Sequence, residues 1–293
     1  MKRPKVFAVV PTLLTLGNAA CGFGAITIAA KVGPQNVGGN ELFVASLLIF
    51  LAMVFDALDG SAARWAKQES EFGAILDSLC DALSFGAAPA FLMLQFAHPL
   101  NHQIESSILP FFVYHPRLLW VIAVLFVVCA ILRLARFTVE TDEEDSHDFF
   151  SGLPSPAAAG AVCAFPIAMQ GLQELLEPIA VSTEPGVVAP MMSTGHTIAE
   201  WLIPGIAMLF PLITLALASL MVSNFRYPHV FNQLFKGKRN RLQVVQLVFT
   251  AALVFLVQEM ALPVIFLYFA FAAPLKWVWK EFLSGRLYKA PQT

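Results

Sequence analysis

Charged residues are what this chain has least of. Only 13% of its 293 residues are Asp, Glu, Lys or Arg, while 58% are hydrophobic and 26 are Phe. A water-soluble domain carries about 25% charged residues, so the deficit excludes an ordinary soluble globule and places the chain in a bilayer. Cysteine is also scarce: Cys21, Cys80, Cys129 and Cys163 fall singly inside apolar stretches. No spacing among them suits a thiolate metal site or a redox pair, so they read as small buried hydrophobes. The net charge of −2 names no partner, and no nucleic-acid partner is expected. Internal repeats, low-complexity tracts and a separate soluble domain are missing as well.

What is there is a succession of apolar runs. Stretches at about 7–31, 41–66, 72–97, 118–138, 153–173, 200–222, 243–260 and 262–282 approach or exceed the roughly 20 residues a transmembrane helix needs. The expected fold class is therefore all-α, a polytopic membrane helix bundle of about eight transmembrane helices. Residues 1–222 would form a six-helix membrane domain, and 223–293 a basic loop, two further helices and a tail. The last two runs are parted only by Glu259–Leu262 before Pro263, so a six-plus-two or re-entrant arrangement stays open. The basic start, with Asn18-Ala19-Ala20-Cys21 after it, imitates a secretory or lipoprotein signal. Its apolar run continues through Ala30, and polar Asn18 stands where a lipoprotein signal carries Leu, so the segment is expected to be the first spanning helix.

Cytoplasmic loops retain Lys and Arg. With the N-terminus inside, that side collects Lys2, Arg3, Lys5, Arg64, Lys67, Arg133, Arg136, Arg226 and the basic run from Lys236 to Arg241, whereas the opposite loops receive only Lys31 and Arg117. The stretch 174–199 has neither Lys nor Arg. Both termini are thus expected in the cytoplasm of a multi-pass protein, which in a bacterial cell lies in the inner membrane.

Against this apolar background the stretch from Asp56 to Asp81 stands out. An Asp or Arg at a helix centre in the bilayer costs roughly 2.5–3.5 kcal/mol on insertion scales, so intramembrane ions mark a site or an ion pathway. Asp56 and Asp59 are three apart and Asp77 and Asp81 four apart, so each pair shares one helix face. The short polar connection from Lys67 to Glu71 makes the two helices antiparallel neighbours, and the four carboxylates converge. Carboxylate oxygens in this number suit Mg²⁺, Mn²⁺ or Ca²⁺. Gly60 and Gly73 cost about 1 kcal/mol each relative to Ala in a helix, which points to close approach of a ligand or a second backbone. Arg64, one turn beyond Gly60, is placed to meet a phosphate or one of the acids. Structural ion pairing and small-residue helix packing are the alternatives.

The pattern D-x2-D-G-x2-A-R-x8-G-x3-D-x3-D, filled by Asp56, Asp59, Gly60, Ala63, Arg64, Gly73, Asp77 and Asp81, resembles the signature of the CDP-alcohol phosphotransferases. At residue frequencies of about 5–10% a chance match at a given start is on the order of one in a billion. The resemblance implies transfer of a phosphoryl moiety from a CDP-linked lipid or alcohol to a hydroxyl acceptor, with release of CMP. It implies that Asp56, Asp59 and Asp77 hold metal ions, two of Mg²⁺ or Mn²⁺ per site, with Asp81 sharing the second and acting as general base. Gly60, Ala63, Arg64, Ser70 and Gly73 would contact the CDP-diacylglycerol donor. Pro11-Thr12-Leu13-Leu14-Thr15 with Asn18 is similar to the family's N-terminal P-N-x-x-T-x-x-N segment, although Thr12 stands where Asn is usual; Thr12, Thr15 and Asn18 join the donor site. Families of this kind usually form homodimers.

Residues outside the motif bear on the acceptor. Asp77 to Ala90, Arg133-Leu134-Ala135-Arg136-Phe137 and Gly152-Leu153-Pro154-Ser155-Pro156-Ala157 resemble segments of phosphatidylserine synthases. Serine, with CDP-diacylglycerol as donor, is then the expected acceptor, contacted by Ser84, Arg133 and Arg136. A planar guanidinium holds a carboxylate with two parallel hydrogen bonds, although both arginines also suit the lipid interface. Two alternatives stay open: a sister enzyme using glycerol 3-phosphate or an inositol phosphate, and a divalent-cation transporter built on intramembrane acids.

Overall fold

The structure is a computed structural model, and it describes residues 9–33, 40–66, 71–105, 114–140, 149–174, 179–184, 187–191, 194–228 and 260–287. Eight α-helices account for most of them. They are α1 (Val9–Ala29), α2 (Glu41–Ala66), α3 (Glu71–Asp81), α4 (Ala88–Glu105), α5 (Pro116–Glu140), α6 (Ser155–Glu174), α7 (Thr194–Val222) and α8 (Ala261–Leu287). One π-helical segment, Ala82–Ala87, joins α3 to α4 without a break in the rod.

Seven stretches of these helices are long and apolar enough to cross a membrane. Residues Phe72–Pro99, running through α3, the π turn and α4, count as a single span. The expected bundle is therefore present, with seven spans among the described residues; of the run at 243–260, residues 243–259 lie outside them. Four short strands supplement the helices. β1 (Phe149–Ser151) pairs antiparallel with β4 (Arg226–Pro228), and β2 (Ile179–Glu184) with β3 (Val187–Met191). They lie outside the seven spans, as strands with open edges must, because a lipid core leaves unpaired backbone groups unsatisfied.

Two apolar clusters hold the bundle. One is built mostly from alanine: Ala25 and Ala29 of α1, Ala45 and Ala52 of α2, Ala88 of α4 and Ala159 of α6 close around Ile49, Phe85 and Leu92. Small side chains let backbones approach, which is how membrane helices gain contact when lipid is as apolar as the core. Gly22 shows how near they come, since a Cβ there would sit 2.7 Å from the Cα of Ser84.

The second cluster joins α4 to α8 through large side chains, among them Phe96, Phe126, Phe165, Phe210 and Tyr227. The Phe210 ring lies 5.0 Å from Phe96, edge on, and 4.9 Å from Phe165. The Tyr227 hydroxyl donates to the Ala270 carbonyl at 2.8 Å and so ties β4 to α8; burial pushes its phenol up to about 12. Outward faces carry exposed Leu13, Phe23, Leu51, Trp120 and Leu132, the surface expected against acyl chains.

The β1–β4 pair closes one end of the bundle. Gly152, directly after β1, adopts φ 84°, a left-handed conformation open to glycine, and a Cβ there would collide with the Met221 carbonyl. Its N–H donates to the Phe225 carbonyl at 2.9 Å, and that of Leu153 to the Leu220 carbonyl at 3.0 Å. The start of α6 is thereby fastened to the end of α7.

Candidate active site

Six elements, α1, α2, α3, the π segment, α5 and α6, bring polar side chains to the same end of the bundle. From α2 come Asp56 and Asp59, near the end of their span; from α3 come Asp77 and Asp81, near the start of theirs. One carboxylate oxygen from each of Asp56, Asp59 and Asp77 lies within 4.8 Å of the others. Asp59 Oδ2 and Asp77 Oδ1 are buried and have no hydrogen-bond partner. Two like charges 4 Å apart repel by about 1 kcal/mol in water and about 4 kcal/mol in a medium of intermediate dielectric. Three carboxylates brought together, two of them with a buried oxygen that has no hydrogen-bond partner, are the donor set a hard divalent cation takes. The residues present fit Mg²⁺ or Mn²⁺.

Asp81 is bound differently. Its Oδ1 accepts a hydrogen bond from Asn18 Nδ2 at 2.9 Å, while its charge faces Asp56 and Asp77. Asn18 is fully buried, and its backbone carbonyl accepts from Ser84 Oγ at 2.9 Å. One residue of α1 thus fixes both the carboxylate at the end of α3 and the turn that follows it. The π-helical geometry of 82–87 places Ser84 under Asn18 and Gly22; such turns recur at functional sites because they re-aim a helix face. Thr15, one turn before Asn18, donates to the Pro11 carbonyl at 3.0 Å and lies against the Asp59 carboxylate together with the Gly60 backbone.

The remaining expected residues separate. Thr12 is half-buried on α1, and Gly60 and Gly73 are half-buried at the facing ends of α2 and α3. Ala63 and Arg64 belong to the last turns of α2, and the placement of their side chains, like the whole of Ser70, lies outside the described residues. Arg133 and Arg136, three apart on α5, part company. Arg133 Nη1 donates to Ser155 Oγ at 2.7 Å, its Nε is buried without an acceptor, and its charge faces Asp81 and Asp56. Arg136 is exposed and donates through Nη1 to Asn224 Oδ1 at 2.9 Å.

Ser155 belongs to the run from Gly152 to Ala157, and the sequence alone gives it no role. Its hydroxyl is fully buried and holds Arg133. The link from Asn18 to Asp81 spans 63 positions and leaves no local signal.

The family model for CDP-alcohol phosphatidyltransferases matches residues 8–185, which spans every residue of this cluster. The chain belongs to the CDP-alcohol phosphatidyltransferase family. Among curated relatives, the CDP-diacylglycerol–serine O-phosphatidyltransferase of Mycobacterium tuberculosis is 32% identical over 155 residues, 52% of this chain and 46% of that protein. The protein of the same description from Methanocaldococcus jannaschii is 39% identical over 118 residues, 40% and 48% of the two chains. The archaetidylserine synthase of Methanothermobacter thermautotrophicus is 34% identical over 166 residues, 56% and 60%. This member of the family spans about half the length of the curated relatives it matches.

Proposed function

We propose that the chain transfers the phosphatidyl group of CDP-diacylglycerol to the hydroxyl of L-serine, giving phosphatidylserine and CMP. The observation that carries this is the meeting of half-buried Asp56 and Asp77 with buried Asp59 beside an Asp81 held by Asn18, in a chain whose family transfers groups from CDP-alcohols. The names of the relatives support serine as acceptor.

In the reaction, Asp81 takes the proton of the serine hydroxyl on the carboxylate oxygen that Asn18 does not engage. The serine oxygen bonds to the lipid-bearing phosphorus as the bond from that phosphorus to the CMP oxygen breaks, and CMP leaves with the electron pair. A divalent cation held by Asp56, Asp59 and Asp77 supplies, when bound, charge neutralisation at the pyrophosphate. Thr12, Thr15, Gly60, Ala63, Arg64, Ser70 and Gly73 shape the donor site around it. The acids sit at one end of the bundle, on the side where the cation-rich loops argue for cytoplasm, so a water-soluble acceptor and a membrane-bound donor meet there. A transporter needs acids spread through the depth of the membrane, and α2 and α3 confine them to one end.

The test is direct. Membranes containing the protein, supplied with CDP-diacylglycerol, Mg²⁺ or Mn²⁺ and labelled serine, should yield labelled phosphatidylserine and CMP in equal amounts. Product formed with glycerol 3-phosphate or an inositol phosphate, and none with serine, keeps the family and overturns the acceptor.

A further inference from the structure

The family match ends at residue 185, and α8 lies wholly beyond it. Each residue of an α-helix turns the face by about 100°, so Phe266, Ala270 and Trp277 fall on one side of α8, while Val264, Tyr268, Leu275 and Trp279 fall on the other. The second set is exposed, as a face against acyl chains should be. The first set ties α8 to the rest of the bundle. The Ala270 carbonyl accepts from the Tyr227 hydroxyl at 2.8 Å, and the Trp277 ring lies 5.8 Å from that of Phe225. The Phe266 ring lies 5.7 Å from Phe50 of α2 and covers Gly160 of α6, where a Cβ would run into it.

The ties of Ala270 and Trp277 end on β4 and the residues leading into it, and from there the path to the acids is continuous. Tyr227 stands opposite Phe150 of β1. The Phe225 carbonyl accepts from the Gly152 N–H, and the Leu220 carbonyl from that of Leu153, which holds the chain as it turns into α6. Ser155 follows at the head of α6 and takes Nη1 of Arg133, whose charge faces Asp81 and Asp56. The tie of Phe266 closes the frame, because Gly160 belongs to α6 and Phe50 to the helix that carries Asp56 and Asp59. Rings fill space without fixing a direction, whereas a hydrogen bond requires one. Within the aromatic cluster, fully buried Tyr227 supplies such a bond.

Resting on the transfer proposed above, we propose that α8 is a brace for the start of α6, and that Tyr227 is a positioning residue of the reaction, acting through Ser155 on Arg133. The segment beyond the family match then serves turnover as well as the stability of the bundle.

The experiment uses the full chain in detergent with CDP-diacylglycerol, Mg²⁺ or Mn²⁺ and serine, and reads CMP release per folded molecule, with the folded fraction taken from thermal unfolding of the same sample. Tyr227→Phe keeps the ring and removes the hydroxyl. It should lower kcat by about two- to tenfold, the range of one hydrogen bond, and Ser155→Ala should do the same. Independent sites give effects that multiply, whereas residues in one network do not, so the double variant should fall no further than Ser155→Ala alone. Gly160→Ala presses a methyl against the Phe266 ring; it should lower kcat with the same coupling to Ser155→Ala, and it carries the test if Tyr227→Phe does not fold. Tyr268→Leu, on the exposed side of α8, should leave kcat unchanged. A helix that serves stability alone would change the folded fraction and leave kcat per folded molecule at the level of the unaltered chain. That result, or single effects that multiply in the double variant, overturns the brace. Release of CMP by the unaltered chain with glycerol 3-phosphate and not with serine overturns the serine reading, and the same cycle is then read with glycerol 3-phosphate; release with neither acceptor overturns both.

Discussion

The two apolar clusters of the bundle are built on different principles. Around the acids, α1, α2 and the π turn meet through alanine and glycine, and specificity comes from single hydrogen bonds such as Asn18 to Asp81 and Ser84 to Asn18. Behind them, α4 to α8 meet through edge-on and tilted aromatic rings. Small residues bring backbones close enough to aim a carboxylate but contribute little apolar area each. Large residues contribute area and tolerate some looseness in aim. The difference separates what orients the chemistry from what keeps the bundle together.

The separation can be broken, and the largest effect should come from Asp81→Asn. A general base contributes about 10²–10⁴-fold, so turnover should fall by that order in the serine assay while titrated CDP-diacylglycerol still binds; loss of binding as well would show that Asp81 builds the donor site. Phe210→Ala sharpens the other side. Emptying a buried aromatic position costs about 3–5 kcal/mol, to be read as a lower unfolding temperature in detergent, with the serine KM of the surviving folded fraction unchanged. A shifted KM without loss of stability would erase the distinction between the clusters.

Asp77→Asn probes the repulsion within the acidic trio. In chelator, removing one of the charges that crowd within 4.8 Å should stabilise the protein by about 1–4 kcal/mol. With Mg²⁺ or Mn²⁺ in excess the order should reverse, because a cation that binds the folded state stabilises it in proportion to its affinity. Equal melting of variant and parent under both conditions would argue against a cation at these residues. The smallest effect is expected for Ser84→Ala, which removes one buried hydrogen bond worth about 0.5–1.5 kcal/mol; a modest fall in both stability and turnover should register the loosening of Asn18.

Much of this is legible in the amino-acid sequence. Spanning helices announce themselves because lipid demands some 20 apolar residues, and four acids in such segments cannot be neutral background. The convergence of Asp56, Asp59 and Asp77 followed from helical spacing and a short connection. Asn18 is harder, because its partner lies 63 positions away and the spacing on α1 marks only the face, not what it meets. Arg133 and Arg136 have the same residue type on the same helix face, and only the approach of α6 with Ser155 divides them. The strands β1 and β4 are three residues each and their nearest ends, Ser151 and Arg226, are 75 positions apart, so no local pattern announces them. The π turn is equally silent, since Ala82-Leu83-Ser84-Phe85-Gly86-Ala87 reads as ordinary helix.

That π turn gives the site a dependence on residue number as well as residue type. A π turn holds one residue more than the α-helix it interrupts. Deleting a single residue within 82–87 would let α3 and α4 join as one regular helix with the faces on either side still in register, because the wider turn absorbs the extra residue. The acids of α3 would keep their face, and what the shorter chain would lose is the widened turn that sets the Ser84 hydroxyl against the Asn18 carbonyl.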